Sequence, residues 1–225
     1  MAMNSPELSL LEARIVGVLV EKQHTVPDIY PLSLNALTAV CNQKTSRDPV
    51  LHATESEVQA GIDRLRGASL VVESSGGRVM RYAHNVERAL GLPSQAVALL
   101  AAMMLRGPQT VGELRINCDR LHRFADGSAV EGFLNELAER SAGALVVMLP
   151  RLPGSRENRW MHLLSGPPAD LGGEVGVTAA PRRVDDALQA AIAELRHSVG
   201  ELRDEIASLK TALARLSTSQ ESGDS

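Results

Sequence analysis

The chain has 225 residues, 44% of them hydrophobic and 22% charged, with a formal net charge of −4 at pH 7. This length holds one large domain or two small ones, and the ordinary globular composition excludes a disordered or fibrous chain. Only two cysteines, Cys41 and Cys118, occur in the sequence, which excludes a disulfide framework and favours a reducing cytoplasm.

Three amphipathic helices are predicted in the first half of the chain. Each has apolar residues at helical spacing and a polar residue placed to cap its start. The apolar positions are Leu8, Leu11, Ile15, Val18 and Leu19, then Leu34, Leu37 and Cys41, then Val58, Ile62 and Leu65. Ser9 with Glu12 and Thr54 with Glu57 are the predicted capping boxes, and the second helix follows Ser33. The first stretch is too short and too charged for a membrane span or a signal peptide, so a cytoplasmic protein is expected.

A β-hairpin is predicted after the third helix, because residues 70–73 and 79–83 flank a turn at 75–77 that contains two glycines. The whole order then repeats in the second half. The apolar helical positions there are Leu92, Ala96, Leu99, Leu100 and Met103, then Val111, Leu114 and Cys118, then Val130, Leu134 and Leu137. The predicted capping boxes are Thr110 with Glu113 and Ser128 with Glu131, and the predicted strands lie at 145–149 and 159–164.

Three helices followed by a β-hairpin form the winged-helix variant of the helix-turn-helix arrangement. The sequence therefore predicts a mainly α fold with small β-hairpins (α+β), built from two tandem winged-helix domains at residues 1–90 and 91–165. The alternative is a single helical bundle in which the predicted hairpins are loops. The β-branched pairs at residues 71–72 and 146–147 favour strands and count against that alternative.

Beyond the second hairpin, residues 166–183 are rich in glycine, proline and alanine, which predicts a flexible or extended linker. Residues 184–216 then repeat apolar residues at spacings of four and three. These positions are Leu188, Ile192, Leu195, Val199, Leu202, Ile206, Leu209, Leu213 and Leu216. The pattern favours a parallel two-stranded coiled coil, and so a homodimer, over the alternative of a helix packed on its own chain. Residues 217–225 are polar and predicted to be disordered.

Four stretches of the sequence resemble the YceH family of bacterial proteins. They are LEARIVGVLVEKQ (residues 11–23), YPLSLNALTAVCNQKTSRDPV (30–50), MLRGPQTVGELR (104–115) and PGSRENRWMHLLSG (153–166). The resemblance runs from about Leu8 into the tail, and CNQKTSRDPV is its most specific part. Trp160 stands where the family pattern suggests tyrosine, so an aromatic side chain is kept. The resemblance implies tandem winged-helix domains and leaves the function open.

The charge distribution does not single out a groove-reading helix, although winged helices suggest DNA. Residues 1–93 carry nine Lys/Arg and ten Asp/Glu, residues 94–166 carry eight and seven, and the acidic excess lies in the tail. The third helix of each half, the expected reader of the major groove, carries carboxylates such as Glu57, Asp63, Glu131 and Glu136. Because DNA binding depends on neutralising phosphates, base reading by these helices is not favoured.

Two other segments carry hydrogen-bond donors and positive charge, and they are the candidate sites for nucleic acid or another partner. The first is formed by Asn42, Gln43, Lys44, Thr45, Ser46 and Arg47, whose side chains suit base edges and phosphates. The second is formed by Arg151, Arg156 and Arg159 on the second hairpin, an arm for a minor groove or a backbone. The alternatives are that the first is only a helix end and a turn, and the second a solvated hairpin.

Enzyme chemistry finds no support in the sequence. The six histidines are scattered, and neither metal-ligand spacings nor nucleophile or phosphate-loop motifs occur. No metal or cofactor is therefore expected, and Cys41 and Cys118 are predicted to lie in the core. Two functions remain open: a non-enzymatic dimer that presents winged helices to DNA as a regulator or architectural protein, or a protein-interaction module similar to the winged-helix subunits that accompany bacterial condensins.

Overall fold

The computed structural model describes residues 7–75, 79–151 and 154–167, which belong to one compact unit, Met1–Gly172. The predicted coiled coil at 184–216, the disordered tail at 217–225 and most of the predicted linker at 166–183 lie outside the described residues, so these stay predictions. Within the described part of the chain, no helix is long and apolar enough to cross a membrane.

The first half folds as three helices and a small antiparallel sheet. Its elements in chain order are α1 (Leu10–Thr25), a short 3-10 helix (Pro27–Ile29), β1 (Leu32–Ser33), α2 (Leu34–Cys41), α3 (Glu55–Gly67), β2 (Val71–Ser74) and β3 (Arg81–His84). The strands lie in the order β1-β3-β2. The capping boxes predicted for α1 and α3 are present, because each serine or threonine accepts from the third residue of its helix.

The second half repeats this order with one extra helix at its start. Its elements are α4 (Val86–Leu90), α5 (Ser94–Arg106), α6 (Val111–Asn117), α7 (Gly127–Ala138), β4 (Val146–Met148) and β5 (Trp160–His162). The described residues thus form a mixed α/β fold with seven α-helices and small antiparallel sheets, as the sequence predicts at that level.

Two local predictions in the second half are wrong. The predicted helix includes Leu92, but Leu92 lies between Gly91, whose left-handed backbone (φ 62°) ends α4, and Pro93, after which α5 begins. Ser128 is not the cap of α7, because Asp126 lies one residue before the helix and its side chain accepts from the N–H of Ala129 at 2.9 Å. An aspartate is as good a cap as a serine, so the earlier residue starts the helix.

The internal repeat extends to strand pairing. Tyr82 on β3 pairs with Leu32 at the start of the first sheet. Trp160 on β5 forms the matching antiparallel bridge with Gln109, through backbone hydrogen bonds of 2.7 and 3.0 Å. Both aromatic side chains are buried against their own half. Each half therefore closes its hairpin onto the residues that precede its second helix.

The two halves pack together through α1 and α5, which are buried along most of their lengths. Gly17 lies at their closest approach, since a Cβ added there would be 3.0 Å from Cγ of Leu105 and 3.2 Å from Cβ of Met104. A helix that lacks this Cβ comes nearer to its neighbour than a larger residue allows. The core is therefore continuous between the two halves. The end of α5, in the second half, also contacts residues of the first half.

Candidate nucleic-acid interface

The α2–α3 segment (residues 42–50) connects the second and third helices of the first half, and it contains the first group of predicted binding residues. Its start is fixed by the side chain of Asn42, whose amide nitrogen donates to the carbonyl of Ala53 at 2.7 Å. The amide oxygen of Asn42 accepts from the N–H of Ala53, also at 2.7 Å. This two-bond clamp ties the end of α2 to the approach to α3, so Asn42 has a structural task here.

Arg47 holds the middle of the α2–α3 segment against α1. Its side chain is 1% exposed and its guanidinium forms two bonds to the carboxylate of Glu21 on α1, at 2.6 and 3.2 Å. It also donates to the side-chain oxygen of Gln43 at 2.8 Å. Burial raises the pKa of Glu21, but the hydrogen bonds and the charge of Arg47 outweigh burial and leave that pKa below its usual value. A planar guanidinium that meets a carboxylate through two bonds holds a well-defined geometry.

Arg14 on α1 fixes the end of the segment. Its fully buried guanidinium donates to the carbonyl of Cys41 at 3.2 Å and to that of Pro49 at 2.7 Å. Burial, and then the nearby charge of Arg47, lower the pKa of Arg14. The N–H of Asp48 donates to the carbonyl of Leu105, the last turn of α5, at 2.9 Å. The segment is therefore held by α1 on one side and by α5 on the other.

These anchors leave the tip of the segment facing solvent. Lys44, Thr45 and Ser46 are exposed, and Lys44 forms no ion pair within the described part of the chain. The backbone N–H groups of residues 44–47 find no acceptor among the described residues. Ser46 takes a left-handed backbone (φ 59°), which places a turn at the tip. The tip thus offers an ammonium group, two hydroxyls and free backbone donors.

The six predicted residues of this segment accordingly separate into two sets. Lys44, Thr45 and Ser46 are free to contact a ligand, whereas Asn42, Gln43 and Arg47 are engaged inside the protein. Because a guanidinium bound by Glu21 has few donors left for phosphate, the contacts favour a positioning role for Arg47. Binding by the exposed set stays a prediction.

The second group of predicted binding residues is the set of arginines on the second hairpin. Arg151 and Arg156 are exposed. Arg159 donates to Glu113 and to the carbonyl of Pro108, both at 3.4 Å, so it closes the hairpin onto the start of α6. Among the described residues, no side-chain hydrogen bond or ion pair joins these arginines to the α2–α3 segment.

The third helices present acidic surfaces, as the sequence suggests. In α3, Glu57 is exposed and caps its own helix, and Gln59 donates to Asp63 at 3.0 Å. In α7, Glu131, Asn135 and Glu136 are exposed. These carboxylates would face phosphates if either helix entered a major groove, which disfavours such a docking.

The sequence interpretation did not consider one segment that carries exposed arginines. Arg120 and Arg123 are exposed in the α6–α7 segment (residues 118–126), which occupies the place in the second half that the α2–α3 segment occupies in the first. The signal was present in the sequence, since each segment starts beside a cysteine, Cys41 or Cys118, that ends an apolar helical face. Their distance from the hairpin arginines in sequence kept them out of the predicted set.

No group of three or more potential metal ligands occurs among the described residues. Cys41 and Cys118 are buried and unpaired with each other, and burial raises the pKa of each thiol to about 12. A thiol with such a pKa is protonated at neutral pH and reacts slowly. The structure therefore assigns these cysteines to the core, as their apolar surroundings predict.

The chain matches a family described as "Protein of unknown function, DUF480" over residues 8–155. A UPF0502 protein of Dechloromonas aromatica is 59% identical over 204 residues, which cover 87% of this chain and 96% of that protein. A UPF0502 protein of Burkholderia orbicola is 60% identical over 191 residues, covering 82% and 80% respectively. Another, of Methylibium petroleiphilum, is 64% identical over 172 residues, covering 76% and 71%.

Proposed function

The chain belongs to the DUF480 family of UPF0502 proteins, and from that premise we propose that it is a non-enzymatic, dimeric DNA-binding protein that holds the duplex backbone through the α2–α3 segment. Membership of this family agrees with the resemblance to the YceH family. The proposed activity is that of a regulator or an architectural protein, in which backbone contacts supply the affinity.

The element order supports a winged-helix assignment for each half. In the first half the order is helix, strand, helix, helix and hairpin, with the sheet order β1-β3-β2. Winged helices, a variant of the helix-turn-helix arrangement, have this order. The second half follows it, with the bridge between Gln109 and Trp160 in the place of the first strand pair. We therefore propose two tandem winged-helix domains that share the core between α1 and α5.

The proposed function is carried by one observation: the α2–α3 segment is rigidly anchored, yet its tip keeps all its donors free. The segment is anchored by hydrogen bonds from the side chains of Arg14, Arg47 and Asn42. Lys44, Thr45 and the backbone N–H groups of the exposed residues 44–46 remain available to an external acceptor. Lysine, hydroxyls and backbone amides are the groups with which proteins contact phosphate oxygens. Because the tip is already ordered, a phosphate bound there causes little further loss of conformational entropy.

The test is a fluorescence titration of the full chain against a random duplex at several salt concentrations. We expect affinity that falls with salt, and a weaker affinity for Lys44→Gln against all sequences. Each lost phosphate contact lowers the log–log salt slope by about 0.9. Arg88→Gln is the matched control, because Arg88 is an exposed cation on α4, away from the segment. Salt-independent binding, or equal losses in both variants, would reject the proposal.

Dimerisation is proposed to come from residues 184–216, which lie outside the described residues. The motivation is the apolar repeat from Leu188 to Leu216. In sedimentation experiments at tens of micromolar, we expect a dimer for the full chain and a monomer for a chain that ends at residue 181. A monomeric full chain at that concentration would refute the dimer and leave the DNA proposal to be judged on its own titration.

A second candidate function, protein binding, is favoured by the surface of α7. Its exposed residues Glu131, Asn135, Glu136 and Glu139 include three carboxylates and no cation. Such a face suits a basic protein partner rather than a phosphate backbone. The two functions separate in a pull-down from bacterial lysate: partners that persist after nuclease treatment support protein binding, and partners lost on nuclease treatment support DNA.

A further inference from the structure

We infer that the tip of the α2–α3 segment binds a free oxyanion such as inorganic phosphate, and that Arg14 and Arg47, buried beneath the tip, strengthen this binding through their charge. The inference rests on the proposed function, because it concerns the same tip. It extends the site to two buried side chains and to a ligand much smaller than a duplex. The observation that carries it is an excess of buried positive charge that the described residues do not neutralise.

Two buried guanidinium groups share one carboxylate beneath the tip. Arg14 is fully buried, and the side chain of Arg47 is 1% exposed. One carboxylate oxygen of Glu21 lies 2.6 Å from Arg47 and 3.2 Å from the ammonium group of Lys22. Among the described residues, no carboxylate lies within ion-pair distance of Arg14. A single negative charge therefore serves three positive charges.

The other carboxylate of the segment and the nearby helix ends reduce this excess without removing it. The carboxylate of Asp48 lies beside the end of α5, with its Oδ2 3.9 Å from a Cβ added at Gly107. The charged groups around the segment are then four cations and two carboxylates: Arg14, Lys22, Lys44 and Arg47 against Glu21 and Asp48. The ends of α2 and α5 meet the segment, and each supplies roughly half a negative charge. An excess of about one positive charge remains.

The two buried guanidinium groups also lack hydrogen-bond acceptors. The Nε atoms of Arg14 and of Arg47 are buried and have no acceptor among the described residues. The pKa of Arg14 is lowered, first by burial and then by the charge of Arg47. Buried cations in proteins are usually paired with an anion or fully hydrogen-bonded. An anion at the tip would supply part of the negative charge that this cluster lacks.

The buried charge lies next to the exposed tip. The guanidinium of Arg47 donates to the carbonyl of Ser46 at 2.9 Å. Lys44, Thr45 and Ser46 are exposed, so an anion reaches them directly from solvent. Salt screens buried charges much less than exposed ones. The exposed groups therefore contact the anion, while the buried guanidinium groups attract it without contacting it.

The first test compares urea midpoints of the full chain in sodium phosphate and in sodium chloride at equal ionic strength. A ligand that binds only the folded chain stabilises it by mass action, so we expect phosphate at about 10 mM to raise the midpoint. Lys44→Gln is expected to lose this rise and Arg88→Gln to keep it. Both side chains are exposed, so both variants are expected to fold. Because phosphate also stabilises proteins by exclusion from their surfaces, the difference between the two variants measures the specific binding.

The second test separates the charge of Arg14 from its hydrogen bonds. Arg14→Lys and Arg14→Met both lose the two bonds to the carbonyls of Cys41 and Pro49, so both midpoints in chloride are expected to fall. Lysine keeps the positive charge, so the rise in phosphate is expected to persist in Arg14→Lys and to shrink in Arg14→Met. An equal rise in the two variants overturns the role of the buried charge. The comparison of Lys44→Gln with Arg88→Gln does not depend on whether these two variants fold.

The outcomes separate this inference from the proposed function. A rise in phosphate that depends on Lys44, in a chain that binds no duplex, supports the anion site and rejects the proposed function. Duplex binding that depends on Lys44, without any rise in phosphate, overturns the inference and keeps the proposed function. An equal rise in Lys44→Gln and Arg88→Gln also overturns the inference, because it assigns the effect of phosphate to general exclusion from the surface.

Discussion

The ion pair between Arg47 and Glu21 makes a sharp prediction about how the α2–α3 segment is held. We expect Glu21→Gln to lower the free energy of unfolding by about 3 kcal/mol, because removing one partner of a buried pair leaves an uncompensated charge in the interior. The side chain of Arg47 is 1% exposed and that of Glu21 is 17% exposed. The effect falls at the lower end of the range for buried pairs, since Arg47 keeps its bonds to Gln43 and to the carbonyl of Ser46.

Urea unfolding of the full chain measures this change, with Glu87→Gln as the matched control on an exposed glutamate of α4. The control variant is expected to stay within about 0.5 kcal/mol of the unmodified protein. Adding Arg47→Met to Glu21→Gln removes the unpaired charge, so the double variant is expected to recover part of the loss. If Glu21→Gln unfolds like the control, Arg47 is not held by a buried charge pair, and the anchored segment loses its main support.

Three further predictions concern the core. Burial lowers the pKa of His84 and of His162 to about 4, against about 6.5 in an unfolded chain. The free energy of unfolding is therefore highest above pH 6.5 and falls towards pH 4, by about 2 kcal/mol for each histidine at pH 5. Urea midpoints at pH 8 and pH 5 check this, and an equal fall of the midpoint in a variant with both histidines changed to Gln would contradict it. Gly17→Val is expected to destabilise by about 1–3 kcal/mol through overpacking of α1 on α5, and an unchanged urea midpoint would argue against that contact. Cys41 and Cys118 are expected to react slowly with a thiol reagent until the protein unfolds, and rapid labelling of either in the native state would contradict their burial.

Local patterns predicted most of the fold, because they depend on residues close in sequence. Each capping box is a pair of residues three positions apart that marks the start of a helix. The boxes of Ser9 with Glu12 and of Thr54 with Glu57 are both present. Leu92 fits the apolar spacing of the predicted helix, but α5 begins only at Ser94, since apolar spacing alone does not show where Pro93 starts the helix. The mutual packing of α1 and α5 depends on contacts between distant parts of the chain, which periodicity does not reveal.

The sequence alone singles out the candidate segment, but it does not show which of its residues are exposed and which are buried. Residues 42–47 stand out as polar and donor-rich in sequence, and Lys44 is exposed as a ligand contact requires. Arg47 looked equivalent to Lys44, but its partner Glu21 lies 26 residues away on another helix, so its burial is a tertiary effect.

The most direct test of the central claim is amide hydrogen exchange of the full chain with and without a random duplex. The free N–H groups of residues 44–47 exchange rapidly in the unbound protein if they lack acceptors, as the structure indicates. The account predicts that saturating duplex slows exchange at these residues, while the exposed first turns of α3 and α7 keep their rates. Slowed exchange in those first turns, with residues 44–47 unchanged, would contradict the account and favour groove reading by the third helices.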